Sequence, residues 1–247
     1  MKDLCIVILA GGLGKRMNSD IPKVLHCLQN KPMLVHVIEK AKALSPKRIF
    51  VVVGKYKDII EKTLKTYINM NQIEFVEQQE ALGTGHALQC CKDVLTPYND
   101  SYTLVLCGDV PLIQEDTMKN MCSDVSLCKL LGTYMKNPYG YGRIKTDNQG
   151  QFEKIVEQKD CNDQEEKLTL INAGVYAFDT NTLCDFVMKL KNDNANNEYY
   201  LTDVPELIQI NNPKTVTLHT IPPEDQLQLT GVNTKEDLDA LHKIIST

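Results

Sequence analysis

The sequence predicts an α/β fold: a parallel sheet with helices on both faces in its first half, continuing into a more antiparallel second half. Three observations carry this. Short apolar runs alternate with amphipathic stretches as far as Cys107. The first run passes straight into a glycine-rich loop, and in open α/β sheets ligands sit where strands end in this way. Beyond Gly142 the pattern changes to paired runs flanking Asp147-Asn-Gln-Gly150, a hairpin signature.

In chain order, residues 4–10 are nearly all apolar and read as a buried strand. Met33, Leu34, Val37, Ile38, Ala41 and Leu44 then recur at helical spacing and mark one face of a helix. Residues 48–53 form a second buried-strand run, 56–68 a helix, 73–77 a short strand, 84–94 a helix and 103–107 a strand. The hairpin strands are expected at 142–146 and 151–157. A strand at 170–178 follows a polar stretch rich in Asp and Glu, and helices return at 180–190, 202–210 and 234–245. No linker-like segment divides the chain, so residues 1–247 are expected to fold as one domain with a nucleotide-binding and a substrate-binding half. Internal repeats are absent, including any hexapeptide β-helix pattern.

The loop itself, Leu9-Ala-Gly-Gly-Leu-Gly-Lys-Arg-Met17, is followed at once by Asp20-Ile-Pro-Lys-Val-Leu-His26. Glycines let backbone N–H groups close around phosphate oxygens, and Lys15, Arg16 and Lys23 put three cations within nine residues. That composition favours a polyphosphate site over an ordinary turn. Two better-known phosphate loops do not match. The dinucleotide fingerprint lacks its third glycine, replaced by Met17, and lacks an acidic ribose ligand after Val53-Gly54. The G-K-[ST] loop fails at Arg16 and again at Leu9.

Asp109, in Gly108-Asp-Val-Pro-Leu112, follows the strand at 103–107 and faces the same edge, where it could hold Mg²⁺ together with substrate phosphate or simply cap the turn before Pro111. Thr84, in Gly83-Thr-Gly-His86, reads as a helix N-cap whose neighbouring backbone donors could meet a base or sugar edge, or as a plain capped helix. His26, His36 and His86 share no metal spacing and read as structural. Glu157, Asn172 and Glu198-Tyr-Tyr-Leu-Thr-Asp203 are polar insertions beside strands or helix starts.

The bulk numbers narrow the class. A net charge of −5 over 247 residues argues against a nucleic-acid footprint, so an anionic ligand needs a local cation cluster. Nine scattered cysteines with no C-x-x-C pair fit a reduced, cytoplasmic protein. The apolar stretch after Lys2-Asp3 is too short for a signal peptide, and no run approaches a membrane span.

Together these motifs resemble the uridylyltransferase (pyrophosphorylase) half of the bacterial bifunctional N-acetylglucosamine-1-phosphate uridylyltransferase/glucosamine-1-phosphate acetyltransferases. The resemblance spans essentially the whole chain. Besides the loop with Arg16 and the Pro22–His26, Gly83–His86 and Gly108–Leu112 segments, it includes Gly140-Tyr-Gly-Arg143, Ile155-Val-Glu157, Ile171-Asn-Ala-Gly174, Glu198-Tyr-Tyr200 and Gly231-Val-Asn233. It implies a Rossmann-like nucleotide-diphospho-sugar transferase fold, a three-layer sandwich on a mixed, mainly parallel sheet. The nucleotide-binding lobe would cover about residues 1–112 and the sugar-binding lobe about 113–247. The implied reaction joins UTP and an amino-sugar 1-phosphate to give UDP-sugar and pyrophosphate.

The resemblance also implies roles. Leu9, Ala10, Gly11, Gly12 and Arg16 would run along the triphosphate, Gly108 would also bind substrate, and Lys23 would contact phosphate. Gln78, Gly83 and Thr84 would read uracil, while Asp109 and Asn233 would ligate Mg²⁺. Gly142, Glu157 and Asn172 would hold the hexosamine. Two departures stand out: the chain stops at Thr247 without the β-helix acetyltransferase domain, and Cys107 stands where the bacterial proteins often carry Tyr. Acetyl transfer is therefore not expected here, and a separate acetyltransferase would supply the acetylated sugar. The alternatives are another hexose 1-phosphate or another nucleotide, or a catalytically silent regulatory subunit that binds UTP or a sugar nucleotide.

Overall fold

The computed structural model describes residues 2–245 apart from the side chain of Lys15, so the charge expected from Lys15 lies outside the described residues. Strand β1 (Leu4–Leu9) is followed by the glycine-rich loop and a short ribbon, β2 (Cys27–Leu28) and β3 (Lys31–Pro32). Then come α1 (Met33–Ala43), β4 (Arg48–Val53), α2 (Lys57–Tyr67), β5 (Ile73–Glu77), α3 (Thr84–Cys90), α4 (Lys92–Leu95) and β6 (Tyr102–Cys107). The second half runs α5 (Glu115–Cys122), β7 (Cys128–Tyr134), β8 (Arg143–Thr146), β9 (Phe152–Val156), β10 (Leu170–Asp179), α6 (Thr180–Val187), α7 (Asp203–Asn211), β11 (Val216–Ile221) and α8 (Lys235–Ile245).

One nine-stranded sheet runs through the molecule in the order β11-β7-β10-β6-β1-β4-β5, with the β8–β9 hairpin attached to β10. Strands β5, β4, β1 and β6 are mutually parallel, β10 is antiparallel to both β6 and β7, and β11 is parallel to β7. The sheet is thus mixed and mainly parallel. Side chains of β1 alternate between its faces: Ile6 and Ile8 enter a layer with Leu34, Val37 and Ile38 of α1, Ile60 of α2 and Met118 of α5. Cys5 and Val7 enter the opposite layer, with Leu88 of α3, Leu183 of α6 and Val204 of α7. Helices therefore cover both faces, and each fully buried Leu, Ile or Val contributes about 1.5–3 kcal/mol. A third, smaller cluster packs Leu238 and Leu241 of α8 on Met17, Leu28 and Met33, fastening the last helix beside the glycine-rich loop.

Several expectations need correction. The helix read across 84–94 is two helices, broken at Cys91. The helix at 180–190 ends at Val187. Strands β7 and β11 and helix α5 are not among the elements expected from the sequence, and the first two extend the same sheet.

Candidate active site

Backbone bonds shape the mouth of the cleft. The Ala10 N–H donates to Val52 at 2.8 Å and the Gly108 N–H to Leu9 at 3.0 Å, so the loop leaves β1 between β4 and β6. A Cβ on Gly108 would stand 3.1 Å from the Leu9 carbonyl oxygen, so Gly108 packs beneath the loop. Gly14 adopts φ +59°, and a Cβ there would stand 2.7 Å from Cβ of Lys23; only glycine lets the Lys23 segment close onto the loop.

From that position the Lys23 ammonium pairs with the Asp109 carboxylate and donates to Oδ1 of Asn233 at 3.2 Å. Arg16 donates to the same Asn233 oxygen at 3.0 Å. Asn233 is held in turn: its N–H and that of Thr234 donate to Asp237 at 2.9 Å each, while the Asp237 N–H donates to the Thr234 hydroxyl, a reciprocal cap on α8. The Val232 N–H donates to the Asp109 carbonyl at 3.0 Å, and Lys40 of α1 donates to Pro111 at 3.0 Å. The Asp109 turn is thereby braced from two sides.

These residues also fit a metal ion. One carboxylate and one amide oxygen, from residues 124 positions apart in the chain, converge on a single ammonium. That hard-oxygen pair suits Mg²⁺, which takes one or two protein oxygens and fills its shell with phosphate and water. Among the described residues no group of three His, Cys, Asp or Glu side chains could form a fuller cage.

A cleft of about 470 Å³ opens from this point. Of the residues singled out in the sequence, Leu9, Ala10, Gly11, Gly12, Lys23, Gln78, Gly83, Thr84 and Asp109 line it. At its far end the Gln78 amide donates to Gly83 at 3.0 Å and lies 3.2 Å from Nδ1 of His86. The capping role expected of Thr84 is corrected: Gly83 is the N-cap of α3, and the Thr84 hydroxyl accepts from Leu201 at 3.2 Å. The Gly85 N–H is likewise taken, by Tyr199 at 2.7 Å. A distant strap, residues 198–201, outcompetes the local cap and leaves fewer free donors there.

Gly142, Glu157 and Asn172 form a second group. Asn172 N–H donates to Gly142 at 2.9 Å, and a Cβ on Gly142 would stand 3.6 Å from Oε1 of Glu157. The register of β10 against β7 shifts between Asn172 and Tyr176. Within that irregularity the Asn172 amide donates to the Tyr176 hydroxyl at 2.6 Å and accepts from Gly174 at 3.2 Å, which fixes its rotamer. Burial pushes the Glu157 carboxyl up from its ordinary range, and the Thr202 hydroxyl, donating at 3.0 Å, partly opposes this. Asp203 beside it is pushed up to about 6 by burial and by Glu206, Glu157 and Asp160.

Sequence reasoning missed Asp237, although the spacing Thr234-x-x-Asp237 before an apolar run is a cap signal. It also missed the Thr202 hydroxyl's contact with Glu157, which no local pattern announces.

The sequence pattern described as nucleotidyl transferase matches residues 5–218. The chain belongs to the nucleotidyl transferase family. It is accordingly a nucleotidyl-transferring enzyme, a class that acts on small-molecule substrates. It is 39% identical over 246 residues to "Probable UDP-N-acetylglucosamine pyrophosphorylase" of Acanthamoeba polyphaga mimivirus, covering 98% of this chain and 96% of that protein. It is 42% identical to bifunctional protein GlmU of Paraburkholderia phymatum over 97% of this chain and 51% of GlmU, so it spans about half the length of that relative. The fold is also that of a Bacillus anthracis protein described as a glucose-1-phosphate thymidylyltransferase, with TM-score 0.72 and 20% identity over 98% of this chain and 94% of that one. Among the described residues no helix is long and apolar enough to cross a membrane.

Proposed function

We propose that this nucleotidyltransferase moves UMP from UTP to N-acetylglucosamine 1-phosphate, in a Mg²⁺-dependent reaction that gives UDP-N-acetylglucosamine and pyrophosphate. The observation that carries the reading is the meeting of Arg16, Lys23, Asp109 and Asn233 at the mouth of the Gly11–Gly12 cleft. The names of the two relatives above support the choice of nucleotide and sugar.

In this reading a phosphate oxygen of the sugar attacks the α-phosphorus in line, the Pα–O–Pβ bond breaks, and its electron pair leaves on pyrophosphate. A phosphate monoester is mainly a dianion near neutral pH, with its second pKa at about 6, so no protein base need take a proton. Lys23 and Arg16 neutralise the charge that gathers on the phosphates, and the loop glycines admit those phosphates against backbone N–H groups. Asp109 and Asn233 are the residues that would hold Mg²⁺, which would supply further neutralisation of phosphate oxygens. Gln78, Gly83 and Thr84 face the base, and Gly142, Glu157 and Asn172 the amino sugar. The two ends correspond to a nucleotide lobe of about residues 1–112 and a sugar lobe of about 113–247 within one domain. A reaction that consumes UTP belongs in the cytoplasm.

Pyrophosphate release with Mg²⁺ and UTP, compared across N-acetylglucosamine, glucosamine and glucose 1-phosphates, tests this. Release with the N-acetylated sugar alone is expected. Release with glucose 1-phosphate instead overturns the sugar assignment. Binding of UTP without release from any sugar overturns the activity in favour of a regulatory subunit.

A further inference from the structure

The neighbours of Gln78 decide which way round its amide stands. Its Nε2 lies 3.0 Å from the Gly83 carbonyl and 3.2 Å from Nδ1 of His86. A carbonyl only accepts, so the group facing Gly83 is the NH₂; its second N–H then meets Nδ1, which has to accept. His86 is thereby the tautomer with its proton on Nε2, the nitrogen that faces Sγ of Cys90 at 3.9 Å. With both N–H groups engaged, the polar atom Gln78 has left for the cleft is Oε1, an acceptor. It lies 3.1 Å from where a Cβ on Gly11 would stand, against a glycine of the cleft wall. Gln78 is only 7% exposed, so bulk water offers its amide little alternative partnership.

The imidazole is held as well as the amide. The ring of His86 lies against that of Tyr199, centroids 6.2 Å apart at 33°. Tyr199 is tied by its backbone to both sides of the Gly83 turn, donating to Leu82 at 2.8 Å and accepting from Gly85 at 2.7 Å.

We propose that His86 is a positioning residue for nucleotide selection: by accepting the second N–H of Gln78, beside the Gly83 carbonyl, it helps keep Oε1 presented to the cleft. The cleft then takes a pyrimidine whose ring nitrogen carries a proton between two carbonyls, as uracil does. It disfavours one whose ring nitrogen is a bare acceptor, as in cytosine, because two acceptors would face each other with neither satisfied. This rests on the uridylyl reading above and adds to it the residue that sets base choice.

The test compares kcat/KM for UTP and CTP, with one sugar phosphate, in wild type, His86→Phe and His86→Asn. His86→Phe keeps a ring beside Tyr199 but has no acceptor, while His86→Asn restores one. The UTP/CTP ratio is expected to fall about tenfold in His86→Phe, chiefly through a raised KM for UTP, and to recover largely in His86→Asn; one mismatched buried hydrogen bond is worth roughly that. A merely structural role would lower both nucleotides alike, so an unchanged ratio in His86→Phe overturns the proposal. ¹⁵N shifts of His86 in the wild type give a second readout that needs no variant to fold: an unprotonated Nδ1 is expected, and a protonated one overturns the proposal. Wild-type protein that selects CTP, or turns over neither nucleotide while its Nδ1 is unprotonated, overturns the uridylyl reading and the selection role with it, but not the Gln78–His86 contact.

Discussion

Gly83→Ala removes nothing from the protein and adds one methyl group, yet the geometry expects a large effect. Gly83 stands at φ 107°, ψ 173°, a region essentially reserved for glycine, where an L residue costs about 1–3 kcal/mol. The new Cβ would stand 2.5 Å from the carbonyl oxygen and 3.0 Å from the nitrogen of Tyr199. Both are backbone atoms and both are engaged, with Gly85 at 2.7 Å and Leu82 at 2.8 Å. Relieving the clash stretches two hydrogen bonds worth about 0.5–1.5 kcal/mol each. The expected loss is about 2–6 kcal/mol, a large share of the roughly 5–15 kcal/mol that stabilises an ordinary domain. Urea unfolding measures it directly: the midpoint should fall with an unchanged slope, and the KM for UTP should rise because the Gly83 turn lines the cleft. Gly12→Ala is the control for stability, since its Cβ would meet nothing within 4 Å. Gly83→Ala unfolding within about 0.5 kcal/mol of wild type, the ordinary scatter of surface changes, would refute the account of the strap.

Further outcomes follow from the same geometry. Lys23→Ala and Arg16→Ala should each lower turnover by roughly 10²–10³-fold, the scale of losing one preorganised electrostatic contact, and wild-type turnover in a folded Arg16→Ala protein would remove that residue from catalysis. Asp109→Asn should weaken both the rate and its dependence on Mg²⁺; a superimposable Mg²⁺ titration would take Asp109 out of the metal site. The Asp203 carboxyl, raised to about 6 in the folded chain, binds more protons there than in the unfolded chain, where the ordinary value is about 3.9. Its contribution to stability therefore declines as pH climbs from 4 to about 6 and stays low above. Asp203→Asn should flatten that decline, and parallel stability–pH curves for the two proteins would contradict the burial argument.

What could be read from the sequence was whatever is local. Strands β4 and β5 fall at the residues expected, because the continuous apolar run of β4 and the Ile73–Phe75 alternation of β5 are local patterns that need no tertiary context. The glycine-rich loop and the carboxylate at the end of β6 announced themselves in the same way. Strand β7 did not: its Cys-Lys-Leu-Leu-Gly-Thr-Tyr run shows no alternation, and Gly132 is there because Ile144 and the Ile171 backbone leave no room for a Cβ. Strand β11 sits at the sheet edge and mixes Thr and His between Val216, Leu218 and Ile221, so its apolar signal is short and weak. Thr84 misled because its hydroxyl is claimed by Leu201, 117 residues away. The meeting of Lys23 with Asn233 across 210 residues is likewise invisible to any window of sequence, and only the resemblance brought those residues together beforehand.

The position of β10 also bears on the order in which the chain can assemble. Strand β6 pairs with β1 on one side, but its other neighbour is not made until residue 170, and β7 and β11 depend on β10 in turn. During synthesis the Tyr102–Cys107 segment therefore waits as an unpaired, strongly apolar edge while more than sixty residues are added. Such edges recruit other chains, so a nascent or truncated first half is prone to aggregate, and the late insertion of one reversed strand closes the sheet against that.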